Sequence, residues 1–388
     1  MTLQVIVGGQ FGSEGKGAIA AHLAAELPDL LAVRVAGPNA GHTVIGRCPP
    51  DCTDLGHSLA GNAERAHPWR LRQVPVAAVS NEEAQLAIAP GSEVDPFVLL
   101  SEVDGLNAAG YRVSDRLLLD YSATVIEEHH RAMEYANRLT DSIGSTGKGI
   151  GAARAERIWR SAVTADKYSQ NWPCETTDVG EHLRHRLAHH GNVQIEGTQG
   201  YGLGLHTRYY PYTTSSDCTA IDFMAMAGCP PWLAHPEALQ IWVVFRTYPI
   251  RVAGNSGPMK HETTWELVGQ PEEHTTVTQK VRRVAMWDPE LARKAMEANG
   301  HRQGAGRSSV WAALTMADYV VPALKDTSQA PLATDDQETS DQFDQMVARY
   351  SKDIGSLVRL VGTGPASLID LRFRPARRAT PPSKEFMV

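Results

Sequence analysis

The chain has 388 residues, of which 42% are hydrophobic and 21% charged, with a net charge of −7. That balance describes an ordinary globular protein, either one large α/β domain or two smaller ones. It argues against a membrane span, since no apolar run approaches the roughly 20 residues required, and against a nucleic-acid binder, since no Lys/Arg run supplies a basic face.

The N-terminus carries no basic leader and enters a strand at once, so no secretory signal is expected. Leu3 to Val7 reads as a buried strand, Gly8 to Gly17 as a glycine loop and Ala18 to Glu26 as a helix. A second strand, Leu31 to Ala36, and a second glycine-containing turn follow, a βαβ opening. Arg47 to Arg72 is rich in Pro, Cys, Asp and Gly and reads as a surface excursion. Apolar patches at Val74 to Val79 and Gln85 to Ile88 precede a helix around Pro96 to Gly105 and a core strand at Leu117 to Tyr121. Helical spacing covers Val125 to Leu139, Ala153 to Ala165 and Asp178 to His189. Asn192 to Glu196 and Ile241 to Phe245 are buried strands. Ser308 to Asp318 is predicted helical, Val320 to Leu324 a short strand, Pro331 to Asp341 a mobile acidic stretch and Leu357 to Val361 a last strand. The basic, proline-containing end is expected to be loose. Strands alternating with helices predict a mostly parallel sheet.

The chemistry is concentrated in five loops. In Gly8-Gly9-Gln10-Phe11-Gly12-Ser13-Glu14-Gly15-Lys16-Gly17, glycines let backbone N–H groups approach phosphate oxygens, and a helix N-terminus and Lys16 add positive charge. It is not a Walker A loop, because five residues separate Gly9 from Gly15-Lys16 and Gly17 stands where a metal-binding Ser or Thr belongs. In Gly37-Pro38-Asn39-Ala40-Gly41-His42-Thr43, the histidine suits a general acid or a ligand to a transferring oxygen. Gly144 to Gly151, with Arg154, Arg157 and Arg160 at helical spacing behind it, reads as a phosphomonoester site, or as a turn before a solvated helix face. Glu196 to Gly200 together with Tyr210 to Ser216 offers amides and hydroxyls for a purine edge and a phosphate, or an aromatic run that packs in the core. Thr275 to Arg283 combines hydroxyls with cations, which suits a dicarboxylate, or reads as a basic loop with no ligand. Of the five cysteines, Cys48, Cys52, Cys174, Cys218 and Cys229, the first two alone suggest a metal knuckle, but no second pair follows, and they read as free thiols of a reducing cytoplasm.

Taken in order, these loops resemble the adenylosuccinate synthetase family patterns GxQWGDEGKG, NAGHT, (S/T)TGxGIGP, EGxQG…YPYVTSS and TTGRxRR, from about Val5 to Pro365. Phe245 to Gly257 resembles the shorter branch found in archaea and phages. The resemblance implies a P-loop-like α/β fold: a mostly parallel central sheet with flanking helices and inserted subdomains. It would form a single domain over 1–370, with the excursion near 47–72 and a loose tail at 371–388. It also implies a cytoplasmic homodimer (in the host cytoplasm if phage-encoded) with Mg2+ and a nucleoside triphosphate as cofactor and co-substrate. Neither nucleic acid nor membrane would be a partner.

Residue roles carried over by the resemblance are these. Lys16 would hold the transferring phosphoryl group and His42 would be the general acid at O6. Gly12, Gly15, Gly17, Thr43, Asp318 and the Gly362, Gly364, Pro365 turn would cradle the triphosphate, together with Lys16, Gly41 and His42. Gly41 and Ser13 would be the metal donors. Asn39, Ser145, Thr146, Gln199, Thr214 and Lys280 would bind the substrate nucleotide beside Ser13, with Arg160 reaching its phosphate from the partner subunit. Thr278 and Arg282 would grip aspartate.

Three departures point to an unusual substrate. Ser13 stands where the family has the aspartate that takes the N1 proton of inosinate, and a serine hydroxyl is no base at neutral pH. A smaller, neutral side chain leaves room for the 2-amino group of guanine, as in the phage 2-aminoadenylosuccinate synthetases. Lys280 replaces an arginine that contacts the ribose 2′-hydroxyl, which loosens the preference for ribose. Met316 replaces a lysine that stacks on guanine in GTP-using enzymes, which favours ATP or dATP over GTP as donor, although Asp318 is retained. Gly204-Leu205-His206 also departs from an acidic stretch, without an account. The expected activity is a ligase condensing L-aspartate with dGMP, using ATP and Mg2+, to give 2-amino-2′-deoxy-N6-succinyladenylate. A conventional enzyme acting on IMP with GTP and a nucleotide-binding relative without turnover remain as alternatives.

Overall fold

Residues 1–35, 37–50, 57–58, 65–274, 280–302, 309–332 and 336–373 are described by a computed structural model. Ten strands form the central sheet: β1 (Leu3–Gly8), β2 (Leu30–Arg34), β3 (Gln85–Ile88), β4 (Leu117–Asp120), β5 (Glu175–Thr177), β6 (Asn192–Glu196), β7 (Leu239–Arg246), β8 (Val310–Thr315), β9 (Val358–Gly362) and β10 (Leu368–Asp370). Their spatial order is β5-β4-β3-β2-β6-β1-β7-β8-β9-β10. Every pairing is parallel except that of β9 with β10. Register places Leu3 beside Val193 on one side and beside Leu239 on the other, so β1 is the centre of the sheet.

The short apolar runs form strands because both faces of the sheet are covered. Alternate residues feed two cores: Val5, Val7, Val33 and Phe245 enter one, while Ile6, Ala32, Trp242 and Val244 enter the other. This explains one correction. The segment predicted as the helix Ser308 to Asp318 contains β8, because Val310–Thr315 is apolar on both faces, a pattern that periodicity does not distinguish from a buried helix. Val320 to Leu324 is not a strand either; it lies across the helical turns Ala317–Tyr319 and Pro322–Leu324.

The acidic stretch expected to be mobile leads into an ordered helix, Gln337–Ile354. Asp336 caps it by accepting from the Thr339 N–H at 3.0 Å, and Phe343, Met346, Tyr350 and Ile354 form its buried stripe. The helix expected at Ala153 to Ala165 instead spans Ile150–Trp159 and stops where Arg160 turns left-handed at φ 65°. Within Val125 to Leu139, the helix spans Glu128–Ala136, and Val125 belongs to a short strand. Val74 to Val79 runs into a single helical turn, Ala77–Ser80. In the region of the surface excursion, His42–Arg47 and Arg65–Leu71 pair antiparallel, His42 opposite Leu71. Among the described residues, no helix is long and apolar enough to cross a membrane. Cys52 and the end of the expected loose tail, 374–388, lie outside the described residues.

Candidate active site

Parallel strands bring their C-terminal ends to one edge of the sheet, where ligands of open α/β folds bind. The glycine loop after β1 is tied there to its neighbours. Lys16 Nζ donates to the Gln199 carbonyl beyond β6, Arg246 at the end of β7 donates to the Ser13 carbonyl at 3.3 Å, and the Thr315 hydroxyl of β8 donates to the Glu14 carbonyl at 2.7 Å.

Inside the loop, the buried Glu14 side chain does work that the sequence reading gave to phosphate. Its carboxylate accepts from the Gln10 N–H at 3.1 Å, the Gly12 N–H at 2.8 Å and Lys16 Nζ at 2.7 Å. The expected phosphate donor Gly12 is therefore committed to holding the loop in shape. Lys16 uses two of its three ammonium protons on Glu14 and Gln199, leaving one for an incoming oxygen. Gly200 packs against this carboxylate so closely that a Cβ there would lie 2.3 Å from Glu14 Oε1. The helix Lys16–Ala25 starts from Gly15 in the left-handed region, and no side chain caps it. Its first N–H groups, including that of Gly17, are thus a ready anion site.

His42 begins the strand that packs on this helix. A Cβ at Gly17 would lie 2.7 Å from the Thr43 carbonyl and 2.9 Å from His42 Cβ, so the glycine sets how near the histidine approaches the helix N-terminus. Thr43 is exposed beside it. His42 is buried and its Nδ1 lies 2.5 Å from Glu196 Oε1. Arg34, fully buried, bonds the same carboxylate and the Ala40 carbonyl. Burial, then the Arg34 guanidinium, lowers the His42 pKa to about 3, against the pull of Glu196. Burial opposes ionisation of Glu196, but Arg34 and the His42 hydrogen bond hold it at about 2. Such a pKa leaves His42 neutral at pH 7.

The second phosphate loop is also braced by a carboxylate. Buried Glu134 accepts from the Gly149 and Gly151 N–H groups, each at 2.9 Å, in the loop that carries Ser145 and Thr146. Arg154 does not join a cluster with Arg157 and Arg160. It pairs with Glu93 at 2.6 Å and donates to the Ser215 carbonyl at 3.2 Å, which ties this helix to the Thr214 segment. Arg157 and Arg160 are exposed, and Arg160 lies past the C-terminal end of the helix Ile150–Trp159, about 15 Å along its axis from the loop. A Cβ at Gly37 would meet the Ile150 side chain, so the Asn39 turn lies against the start of the same helix.

Ser13 adopts φ 59°, is exposed, and its hydroxyl accepts from Arg282 Nη1. Burial pushes the Arg282 pKa down, against the attraction of Glu273. Lys280 is exposed, and Thr278 lies outside the described residues. Asp318 sits half-buried on the turn after Met316, and burial raises its carboxyl pKa. The turn Gly362, Gly364, Pro365 at the end of β9 is held by the Thr363 hydroxyl donating to the Thr327 carbonyl at 2.6 Å.

Two candidate metal clusters resolve otherwise. His130 Nδ1 accepts from the Glu127 N–H at 2.9 Å, which leaves Nε2 protonated toward Glu156, so His129, His130 and Glu156 form a hydrogen-bonded clamp. The His22, Glu26, Asp370 group contains the Arg372 guanidinium. Ser13 in the glycine loop and Gly41, the residue before His42, offer neutral oxygens of the kind magnesium accepts. Ser13, however, faces a guanidinium, so Gly41 is the better donor, and the two fit only a magnesium ion whose shell is mostly phosphate and water.

Sequence reasoning missed Glu14, Arg34, Glu134, Arg246 and Glu273. The available signal was charge at the ends of buried strands, at Arg34, Glu196 and Arg246, where desolvation demands a partner.

The family model for adenylosuccinate synthetase matches residues 5–172 and 162–305. An adenylosuccinate synthetase of Methanocaldococcus jannaschii is 35% identical over 378 residues, 96% of this chain and 97% of that protein. One from Pyrococcus horikoshii is 33% identical over 93% of this chain and 95% of its own. Among solved structures, the succinoaminodeoxyadenylate synthetase of cyanophage S-2L, bound to dGMP and to dATP as an energy donor, superposes with a TM-score of 0.73 at 26% identity, covering 95% of each chain. Adenylosuccinate synthetase from Plasmodium falciparum, with a TM-score of 0.74 at 17% identity over 95% of this chain and 100% of that one, shares the fold.

Proposed function

The chain belongs to the adenylosuccinate synthetase family of carbon–nitrogen ligases, and from that premise we propose that it joins L-aspartate to C6 of dGMP at the expense of ATP or dATP. The product is 2-amino-2′-deoxy-N6-succinyladenylate. The observation that carries this reading is Ser13, a small neutral side chain whose hydroxyl is turned to Arg282 at the loop facing the purine. A neutral residue there neither repels nor crowds an exocyclic amine, and the S-2L enzyme, whose structure holds dGMP and dATP, supports it.

The reaction divides into two displacements. First, O6 of the purine attacks the γ-phosphorus: the O6–P bond forms, the bond to the β-phosphate oxygen breaks, and the N1 proton passes to solvent, since Ser13 cannot take it. Lys16 and the open N–H groups of the helix Lys16–Ala25 bind the phosphoryl oxygens. Second, the neutral aspartate amine attacks C6, the N–C6 bond forms, the C6–O6 bond breaks, the amine releases one proton to solvent, and inorganic phosphate leaves. Magnesium would be held on the chain's side by the Gly41 carbonyl and would supply charge neutralisation of the phosphates.

His42 changes role with occupancy. Burial and the Arg34 guanidinium disfavour its proton, and phosphate charge beside it restores that proton, because nearby anions favour the imidazolium. It then donates to O6 while Glu196 holds Nδ1. Ser145, Thr146, Gln199, Thr214, Asn39 and Lys280 hold the nucleotide, Thr278 and Arg282 the aspartate, and Asp318 with the Gly362 to Pro365 turn the donor base. Arg160, exposed at the far end of its helix next to exposed Ile158 and Trp159, reaches a partner's nucleotide in a homodimer.

A second reading is favoured by the archaeal relatives, which bear the conventional name: IMP as substrate with GTP as donor. Phosphate release assayed with dGMP and with IMP, each with ATP and with GTP, decides between them. Release with IMP and GTP alone would overturn the dGMP assignment.

A further inference from the structure

Arg246 and Glu273 belong to none of the binding loops, yet they sit beneath the two arms of the site. Arg246 ends β7 and is fully buried. Its main chain is clamped by the Gln10 amide, which accepts from the Arg246 N–H and donates to its carbonyl, both at 3.0 Å. Its guanidinium donates to the Ser13 carbonyl at 3.3 Å and grips Glu273 with both Nη atoms, the Nη1 contact being 3.1 Å. Burial opposes ionisation of Glu273, but Arg246 keeps its pKa below the usual range.

Glu273 is also the foot of a stem. Its carbonyl accepts from the Arg282 N–H at 2.8 Å, His274 bridges to Val281, and the His274 carbonyl accepts from Arg282 Nε at 3.1 Å. The stem therefore delivers the Arg282 guanidinium to the Ser13 hydroxyl. Tyr319, next to Asp318, donates to the Glu273 carboxylate at 3.3 Å. One ion pair, buried at Arg246 and half-buried at Glu273, thus touches the purine-facing turn, the stem of the aspartate-side arginine and the turn of the donor base.

We propose that Arg246 and Glu273 are positioning residues of the ligase: anchored by Arg246, Glu273 sets the stem so that Arg282 meets Ser13 in register for aspartate. A bidentate guanidinium–carboxylate contact fixes relative orientation as well as distance, which neither a lysine nor an amide reproduces. The inference rests on the ligase reading but not on which purine is used.

The test is a double-mutant cycle on aspartate binding, read by calorimetry as L-aspartate is titrated into enzyme saturated with dGMP, and in parallel with IMP. Glu273→Gln should weaken aspartate binding about tenfold or more while leaving dGMP affinity within about twofold. Ser13→Ala should weaken aspartate binding in the wild-type background and have no further effect in Glu273→Gln, because the Ser13 to Arg282 contact is already lost. If Glu273→Gln does not fold, Glu273→Asp, which keeps the charge and shortens the reach, is read in its place and should show the same pattern more weakly. Independent, multiplying effects of the two substitutions, or unchanged aspartate affinity, overturn the proposal. Normal coupling alongside no turnover of dGMP overturns the substrate assignment and leaves the pair's role standing. Absence of aspartate binding with either nucleotide overturns both.

Discussion

His42 Nδ1 lies 2.5 Å from the Glu196 carboxylate, and both are pressed against the buried guanidinium of Arg34. The fold therefore refuses a proton that the unfolded chain accepts. Unfolded, His42 titrates near 6.5 and Glu196 near 4.5; folded, they are lowered to about 3 and about 2. Stabilisation from the pair is complete above pH 6.5 and is lost as pH falls, through His42 first and through Glu196 as well below 4.5. Each proton taken up only by the unfolded chain costs about 1.4 kcal/mol per pH unit. Melting temperature measured from pH 7 to 5 should fall, and His42→Gln should flatten that fall; an unchanged slope would mean that His42 is not held neutral.

Nucleotide binding should reverse the proton balance at the same residue. Triphosphate charge near the helix Lys16–Ala25 raises the His42 pKa, so calorimetry in buffers of different ionisation enthalpy should show proton uptake near pH 7, absent in His42→Gln. His42→Ala should lose at least about 10²–10³-fold in kcat, because proton donation and oxyanion stabilisation are both removed. Turnover near that of the wild type would remove His42 from the chemistry.

Gly17 tests how closely helix and histidine must approach. Its added Cβ would sit 2.7 Å from the Thr43 carbonyl, so Gly17→Ala must push the strand bearing His42 away. The expected cost is about 1–3 kcal/mol of stability, seen in chemical denaturation, with a fall in kcat beyond any loss of folded protein. Full activity at wild-type stability would show that this contact relaxes freely.

Much of the fold was legible because β1, β6 and β7 are short apolar runs next to glycine turns, and such runs in alternation with helices have few arrangements. β8 was misread since Val310–Thr315, buried on both faces, has no alternation to betray it. The binding loops announced themselves through glycines and hydroxyls. Their supports did not: Glu134 meets the Gly149 N–H 15 positions away in the chain, and Glu273 is gripped by an arginine 27 positions away. The lysine of the glycine loop was read as a bare cation for phosphate, whereas desolvation at a fully buried site demands the Glu14 carboxylate beside it.

Ser13→Asp probes the substrate directly. A carboxylate there takes the space proposed for the guanine 2-amino group and restores a base for N1. Its kcat/KM with dGMP should fall about 10–200-fold, the range that a misfit of a few atoms produces, and its kcat/KM with IMP should rise. Unchanged preference would mean that position 13 does not select the purine.

The most direct measurement of the central claim is phosphate release by the wild-type chain with L-aspartate, magnesium and ATP, with dGMP and IMP in parallel. Phosphate released with dGMP, accompanied by 2-amino-2′-deoxy-N6-succinyladenylate, is the result expected from a serine at position 13. Release with IMP and none with dGMP would contradict it.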